Sequence, residues 1–246
     1  MLKRVMTGLV VVALTATLRA QDAAPAEGQI EDNDHSPYHE ALLEYKSGHF
    51  DKARAAIDEA EKAKAGDPAI EILKSKICAE LGDFAVGEQA LRPLLTSNGP
   101  VEVELALGDL LLRKRSFDRA GKYYSLALKA KPNDPDIILK LAYTKIGAND
   151  LVTAEQYASQ LKPLDPKNPY DDHASYYFAK AALAQATGKV QEAEDEIQSA
   201  RTNYGVTVTN RYLKTYLEFF APSTKGGNND ITPAPLVKPA PPIAKP

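Results

Sequence analysis

The chain has no tryptophan, one cysteine and two methionines in 246 residues, and the signatures of chemistry are as sparse. A lone Cys78 cannot form an internal disulfide, and between Ile77 and Ala79 it reads as a small apolar core residue. His35 and His39 stand four apart, as a helical metal pair would, yet no third ligand is spaced to join them. His39-Glu40 lacks the second histidine of a zinc-protease helix, and Gly188-Lys189 lacks both the upstream glycine and the Ser/Thr of a phosphate loop. No Gly-x-Ser-x-Gly elbow occurs. No catalytic residue, metal or cofactor is expected, and a hydrolase would need a site unlike these, built on His39 or His173.

Long apolar runs are also missing, with one short exception at the start. Lys3 and Arg4 precede an uncharged stretch from Val5 to Leu18, too short for a comfortable membrane span. It reads as a signal peptide, 1–20, cut after Ala20; the alternative is an uncleaved anchor, which would be the chain's one link to a membrane. No cysteine follows it to carry a lipid. Export to the periplasm or the exterior is therefore expected. Cleavage would remove Lys3, Arg4 and Arg19 from the 30 basic residues, leaving 27 against 33 acidic ones. That balance lacks the basic footprint of a nucleic-acid binder. Residues 21–34 carry Asp22, Glu27, Glu31, Asp32 and Asp34 with no basic residue, and read as a flexible acidic leader.

What the sequence does have is repetition. A small residue recurs at Ala41, Ser75, Gly108, Ala142 and Ala181, and an apolar one at Phe50, Phe84, Phe117, Leu151 and Val190. Ala53, Gly87, Ala120, Ala154 and Ala193 follow at spacings of 34, 33, 34 and 39. Ile57, Leu91, Tyr124, Ala158 and Ile197 come next, then Ala60, Leu94, Ala127, Leu161 and Ala200, at the three- and four-residue steps of one helix face. Turns fall at Gly48, Gly82, Arg115, Asn149 and Gly188. Pro68, Pro100 and Pro135 sit at the starts of units, where the missing N–H does no harm.

This order resembles the tetratricopeptide repeat, a helix–turn–helix unit of about 34 residues. The third unit, from Val101 to Asp134, matches best; Gly87 stands where the family usually has alanine, and extra residues around Pro169 to His173 precede the fifth unit. The resemblance implies an all-α solenoid of five units over 35–220. Beyond Gly205 a helix at 207–220, with Tyr212, Leu213, Tyr216, Leu217 and Phe220 on one side and Arg211, Lys214 and Glu218 on the other, is expected to cover the open face of the last unit. Self-association through that helix is the alternative. Residues 221–246, rich in proline, read as a disordered tail that serves as a spacer or a docking peptide.

The family implies function as well: a scaffold that binds other proteins, with the first helix of each unit lining a concave groove. The corresponding positions are Tyr38, Leu42 and Tyr45; Ile72, Lys76 and Glu80; Glu102, Leu105, Asp109, Leu112 and Arg113; Asp136, Leu139, Tyr143 and Ile146; and Phe178 and Gln185. Apolar side chains of an extended or helical peptide are expected between Leu105, Leu112, Leu139 and Tyr143, with the Tyr143 hydroxyl at a partly wet site. The lysine, asparagine and arginine clamp that some members use on chaperone tails is replaced here by Tyr38, Leu42, Leu73, Glu102 and Ala106. A structural envelope component tethered to cell-wall polymers is the alternative.

Overall fold

The structure is a computed structural model that describes residues 36–96, 99–165 and 173–220. The segments read as a signal peptide and a leader, His35, the extra residues 169–172 and the proline-rich tail lie outside these. Among the described residues every regular element is helical: α1 (Pro37–Lys46), α2 (Phe50–Ala63), α3 (Pro68–Leu81), α4 (Phe84–Leu91), α5 (Val101–Arg113), α6 (Phe117–Ala130), α7 (Pro135–Gly147), α8 (Leu151–Ala158), α9 (Ser175–Ala186) and α10 (Val190–Phe220). They pair as five helix–turn–helix units, and the first helices of neighbouring units touch, α3 on α5 and α7 on α9.

Local chemistry sets the boundaries. The apolar residues read as opening the second helices are the first residues of α2, α4, α6, α8 and α10. All five turn residues, Gly48, Gly82, Arg115, Asn149 and Gly188, have positive φ, Arg115 at 58° among them. Between units, Asp67-Pro68 and Asp134-Pro135 start α3 and α7: each aspartate accepts backbone N–H bonds at the helix mouth, and the proline occupies a position that needs no donor. Proline also stops helices, since Pro93 ends α4 in a single 3₁₀ turn, Arg92–Leu94.

The repeated columns form the core. Ala41, Ala142 and Ala181 are fully buried where paired helices cross, as are Ala53, Ala120 and Ala154 in the second helices. Ile57, Leu91 and Tyr124 fill one column from different units, each contributing about 1.5–3 kcal/mol through burial. Cys78 is buried as expected. Glycine appears where a large neighbour leaves no room. A Cβ on Gly108 would stand 2.5 Å from Cε1 of Tyr124, and one on Gly87 2.6 Å from Cδ1 of Leu110. The departure from alanine at Gly87 is therefore matched to Leu110.

The last helix covers the final unit as expected and also reaches beyond it. α10 breaks at Gly205, with φ 75° and ψ 175°, into residues 190–204, the second helix of unit five, and an arm, 206–220. The arm packs on α9, as a cap would, and then continues across the first helices of units four, three and two. Its buried residues are Thr209, Tyr212, Tyr216 and Phe219, whereas Leu217 is 49% exposed. The face lies one step round from the expected one because it meets a groove rather than a single helix pair.

Candidate functional site

The first helices α3, α5, α7 and α9 together form the surface on which the arm lies. Gly205 supplies the left-handed backbone that an L-residue rarely adopts, and Thr209 donates its hydroxyl to the Gly205 carbonyl at 2.7 Å, closing the first turn of the arm. Thereafter the inward side chains recur at helical spacing. The Tyr212 ring stacks on Phe178 with centroids 5.4 Å apart, and Tyr216 meets the same ring edge-on at 5.9 Å. Phe220 meets Tyr143 edge-on at 4.9 Å, and the Arg115 guanidinium lies 5.8 Å from the centre of the Phe219 ring. Aromatic contacts of this kind add to the area buried.

Polar contacts fix the middle and the end of the arm. At its middle the Tyr212 hydroxyl donates to Asp136 of α7 at 2.6 Å, with His173 beside it; burial and then Asp136 push that phenol up. Near its end Lys214 donates to Glu80 of α3 at 2.8 Å, and Glu218 accepts from Arg113 Nε of α5 at 2.6 Å. Arg113 Nη2 reaches Glu80 at 3.0 Å, and the Tyr45 hydroxyl of unit one donates to Glu80 at 3.4 Å. Burial raises the Glu80 carboxyl, but the hydrogen bonds from Arg113 and Lys214 outweigh it and hold the group below its ordinary value. Burial and Glu80 together push Tyr45 up to about 12.

Beside this network, between the arm and units one to four, the surface stays open. A cavity of about 260 Å³ is lined by Tyr45, Lys76, Glu80, Asp109, Leu112, Arg113 and Lys140 from the repeats and by Lys214, Thr215, Glu218 and Phe219 from the arm. Asp109 accepts from the Tyr124 hydroxyl at 2.6 Å and from Lys140 at 2.9 Å, so it too is paired. The pocket offers carboxylates, cations and an apolar floor, but no nucleophile held by a base. Among the described residues no group of three His, Cys, Asp or Glu side chains is placed to hold a metal.

The residues expected to line the groove divide by unit. Tyr38, Leu42 and Tyr45 are half-buried on the unit-one cluster, and Ile72 and Leu105 on the central one. Asp109 faces the open cavity. Leu112 belongs to the cluster that holds Phe219; Leu139, Tyr143, Ile146 and Phe178 belong to the one that holds Tyr212 and Tyr216, and all five are at most 4% exposed. The Tyr143 hydroxyl, expected at a partly wet site, is instead buried without a hydrogen-bond partner, because the arm covers it. Burial pushes its pKa well up. Sequence reasoning placed Glu218 on the solvent side and left Phe219 out. A signal was present: Tyr212, Tyr216, Phe219 and Phe220 put four aromatic residues into nine positions, in a chain with 12 tyrosines and 6 phenylalanines.

Comparison with known proteins agrees with this architecture. Residues 79–135 match the tetratricopeptide repeat family. The human tetratricopeptide repeat protein 13 is 25% identical over 118 residues, which are 47% of this chain and 14% of that protein, so the chain spans about a seventh of its curated relative. Among solved structures, a thermophilic tetratricopeptide protein of Thermus thermophilus superposes with a TM-score of 0.57 at 16% identity, covering 74% of this chain and 97% of that one. A tetratricopeptide repeat protein of Parabacteroides merdae gives 0.56 at 15% identity, covering 74% and 70% of the two chains. PilW, a type IV pilus biogenesis factor, gives 0.54 at 22% identity, covering 72% and 81%. At these identities the likeness is one of fold.

Proposed function

Because the chain is a tetratricopeptide-repeat solenoid, we propose that it is a non-enzymatic scaffold that holds a segment of another protein on its concave face. The observation that carries this reading is the open cavity between the arm and units one to four, where carboxylates and cations of α3, α5, α7 and the arm surround an apolar floor. A peptide side chain entering there meets Leu112 and Phe219 below and charged groups at the rim, an arrangement suited to anchored recognition. The division of the chain into a signal segment 1–20, a leader, a repeat domain and a tail, and with it export to the periplasm or exterior, belongs to the same proposal and rests on the apolar run after Arg4.

Photo-crosslinking in cells tests the reading. A photo-reactive phenylalanine in place of Lys76, at the cavity, is expected to trap one defined protein that the same residue in place of Lys122, on the second helix of unit three, does not. Capture from position 122 but not from position 76 would move the binding surface off the concave face.

A further inference from the structure

Building on the scaffold reading, we propose that the arm 206–220 is a displaceable resident of the groove, and that the segment admitted in its place is a partner's amphipathic helix of the same chemistry. That chemistry is specific: aromatic side chains three or four residues apart for the Phe178 and Tyr143 sites, and a carboxylate set to meet Arg113.

Four observations lead to this. The arm occupies the surface that the scaffold reading gives to a partner, so its side chains record what fits: Tyr212 and Tyr216 on Phe178, Phe220 on Tyr143 and Glu218 on Arg113. It joins the repeats through one residue, Gly205, whose left-handed backbone is a natural place for the chain to swing. Its Lys214 pair is only partly shielded, the lysine side chain being 65% exposed, where an ion pair is easily exchanged for water or another partner; the Glu218–Arg113 pair is more enclosed, at 26% and 20%. The fit is also incomplete. The arm leaves the Tyr143 hydroxyl buried without a partner and a cavity open beside Phe219 and Thr215. An incoming helix with an acceptor opposite Tyr143 would satisfy a group that the resident arm does not.

The test uses the full chain and a fluorescent, end-capped peptide of residues 206–220. Tyr216→Ala with Phe219→Ala weakens the chain's own arm and leaves every repeat side chain in place. Fluorescence anisotropy is expected to show the peptide binding this variant at least tenfold more tightly than the wild-type chain, with a scrambled peptide binding neither. Equal binding to both chains, or none to a variant whose helical content is intact, would overturn the proposal. If position 76 still traps its partner when the peptide fails, the scaffold reading stands and this one falls; if the peptide binds and position 76 traps nothing, the arm is displaceable but the scaffold reading falls, and the partner-helix assignment with it. Hydrogen exchange on the unaltered protein gives an independent reading: amides of 206–220 are expected to exchange at least tenfold faster than those of α5 and α7. Exchange of arm and repeats at one common rate would make the arm an integral part of the core. Light scattering that finds a dimer with exchanged arms would make the occupant a second copy and overturn the partner-helix assignment.

Discussion

Arg113 Nε donates to Glu218 at 2.6 Å across 105 residues of chain, while Nη2 of the same guanidinium donates to Glu80 at 3.0 Å. One side chain of α5 thus ties the end of the arm to the end of α3. The network joins three first helices and the arm, with Tyr45 and Lys214 completing it. The planar fork of arginine makes both bonds at once, which a lysine cannot do.

Arg113→Ala should therefore loosen the arm more than the repeats. Hydrogen bonds to charged groups contribute about 1.5–3 kcal/mol, and Glu80 would keep only Lys214 and Tyr45. Urea denaturation is expected to show a loss of that order. Faster exchange confined to amides 206–220 would identify the arm as the part released.

Two glycines give opposite expectations. A Cβ on Gly108 meets the Tyr124 ring at 2.5 Å, whereas one on Gly121 meets only Thr144, at 3.4 Å. Gly108→Leu is expected to cost about 1–3 kcal/mol or more by forcing α5 and α6 apart. Gly121→Ala, in the middle of α6, is expected to gain about 0.4–1 kcal/mol. Thermal unfolding of the two variants moves in opposite directions if the helices are in the register described.

Tyr143→Phe should stabilise the protein. The hydroxyl has no partner, and a buried unsatisfied group costs about 1–3 kcal/mol. Removing it is expected to raise the unfolding temperature by a few degrees. Tyr143→Glu, by contrast, would bury a carboxylate beneath Phe220 and is expected to release the arm or unfold the domain.

Acid should open the groove. The Glu80 carboxyl is held below its ordinary value, so its contribution is complete above the unfolded pKa of about 4.3 and is lost as the pH falls through the lower folded value. With no tryptophan in the chain, near-ultraviolet circular dichroism reports mainly tyrosine, and Tyr143, Tyr212 and Tyr216 lie at the arm. That signal is expected to fall below about pH 4 while far-ultraviolet helical content persists. Simultaneous loss of both would show that the arm and repeats open together.

The repeat units were legible because their information is local. Phe50, Phe84, Phe117, Leu151 and Val190 each open a helix, and the register of Ala53, Ala120 and Ala154 follows from spacing alone. Close approaches between elements were less so: a Cβ on Gly147, an ordinary helical position by sequence, would lie 2.3 Å from the Phe117 ring. The path of the arm was hidden for the same reason. Thr209, Tyr212, Tyr216 and Phe219 form a helical face on any reading, but which surface they meet depends on Phe178, Tyr143, Arg113 and Glu80 from four units. No window of sequence contains that surface. Tyr143, Leu112 and Phe178 are buried in clusters that include Tyr212, Tyr216 and Phe219 of the arm, an occupant that spacing does not reveal.

The central claim, that the chain's own C-terminal arm lies in its concave groove, is tested most directly by intramolecular crosslinking of the purified protein. With a photo-reactive phenylalanine in place of Lys76, which lines the cavity with Lys214 and Thr215, irradiation and peptide mass spectrometry are expected to find a link within one chain to residues 214–219. Links only to other repeat helices, with the arm untouched, would contradict it.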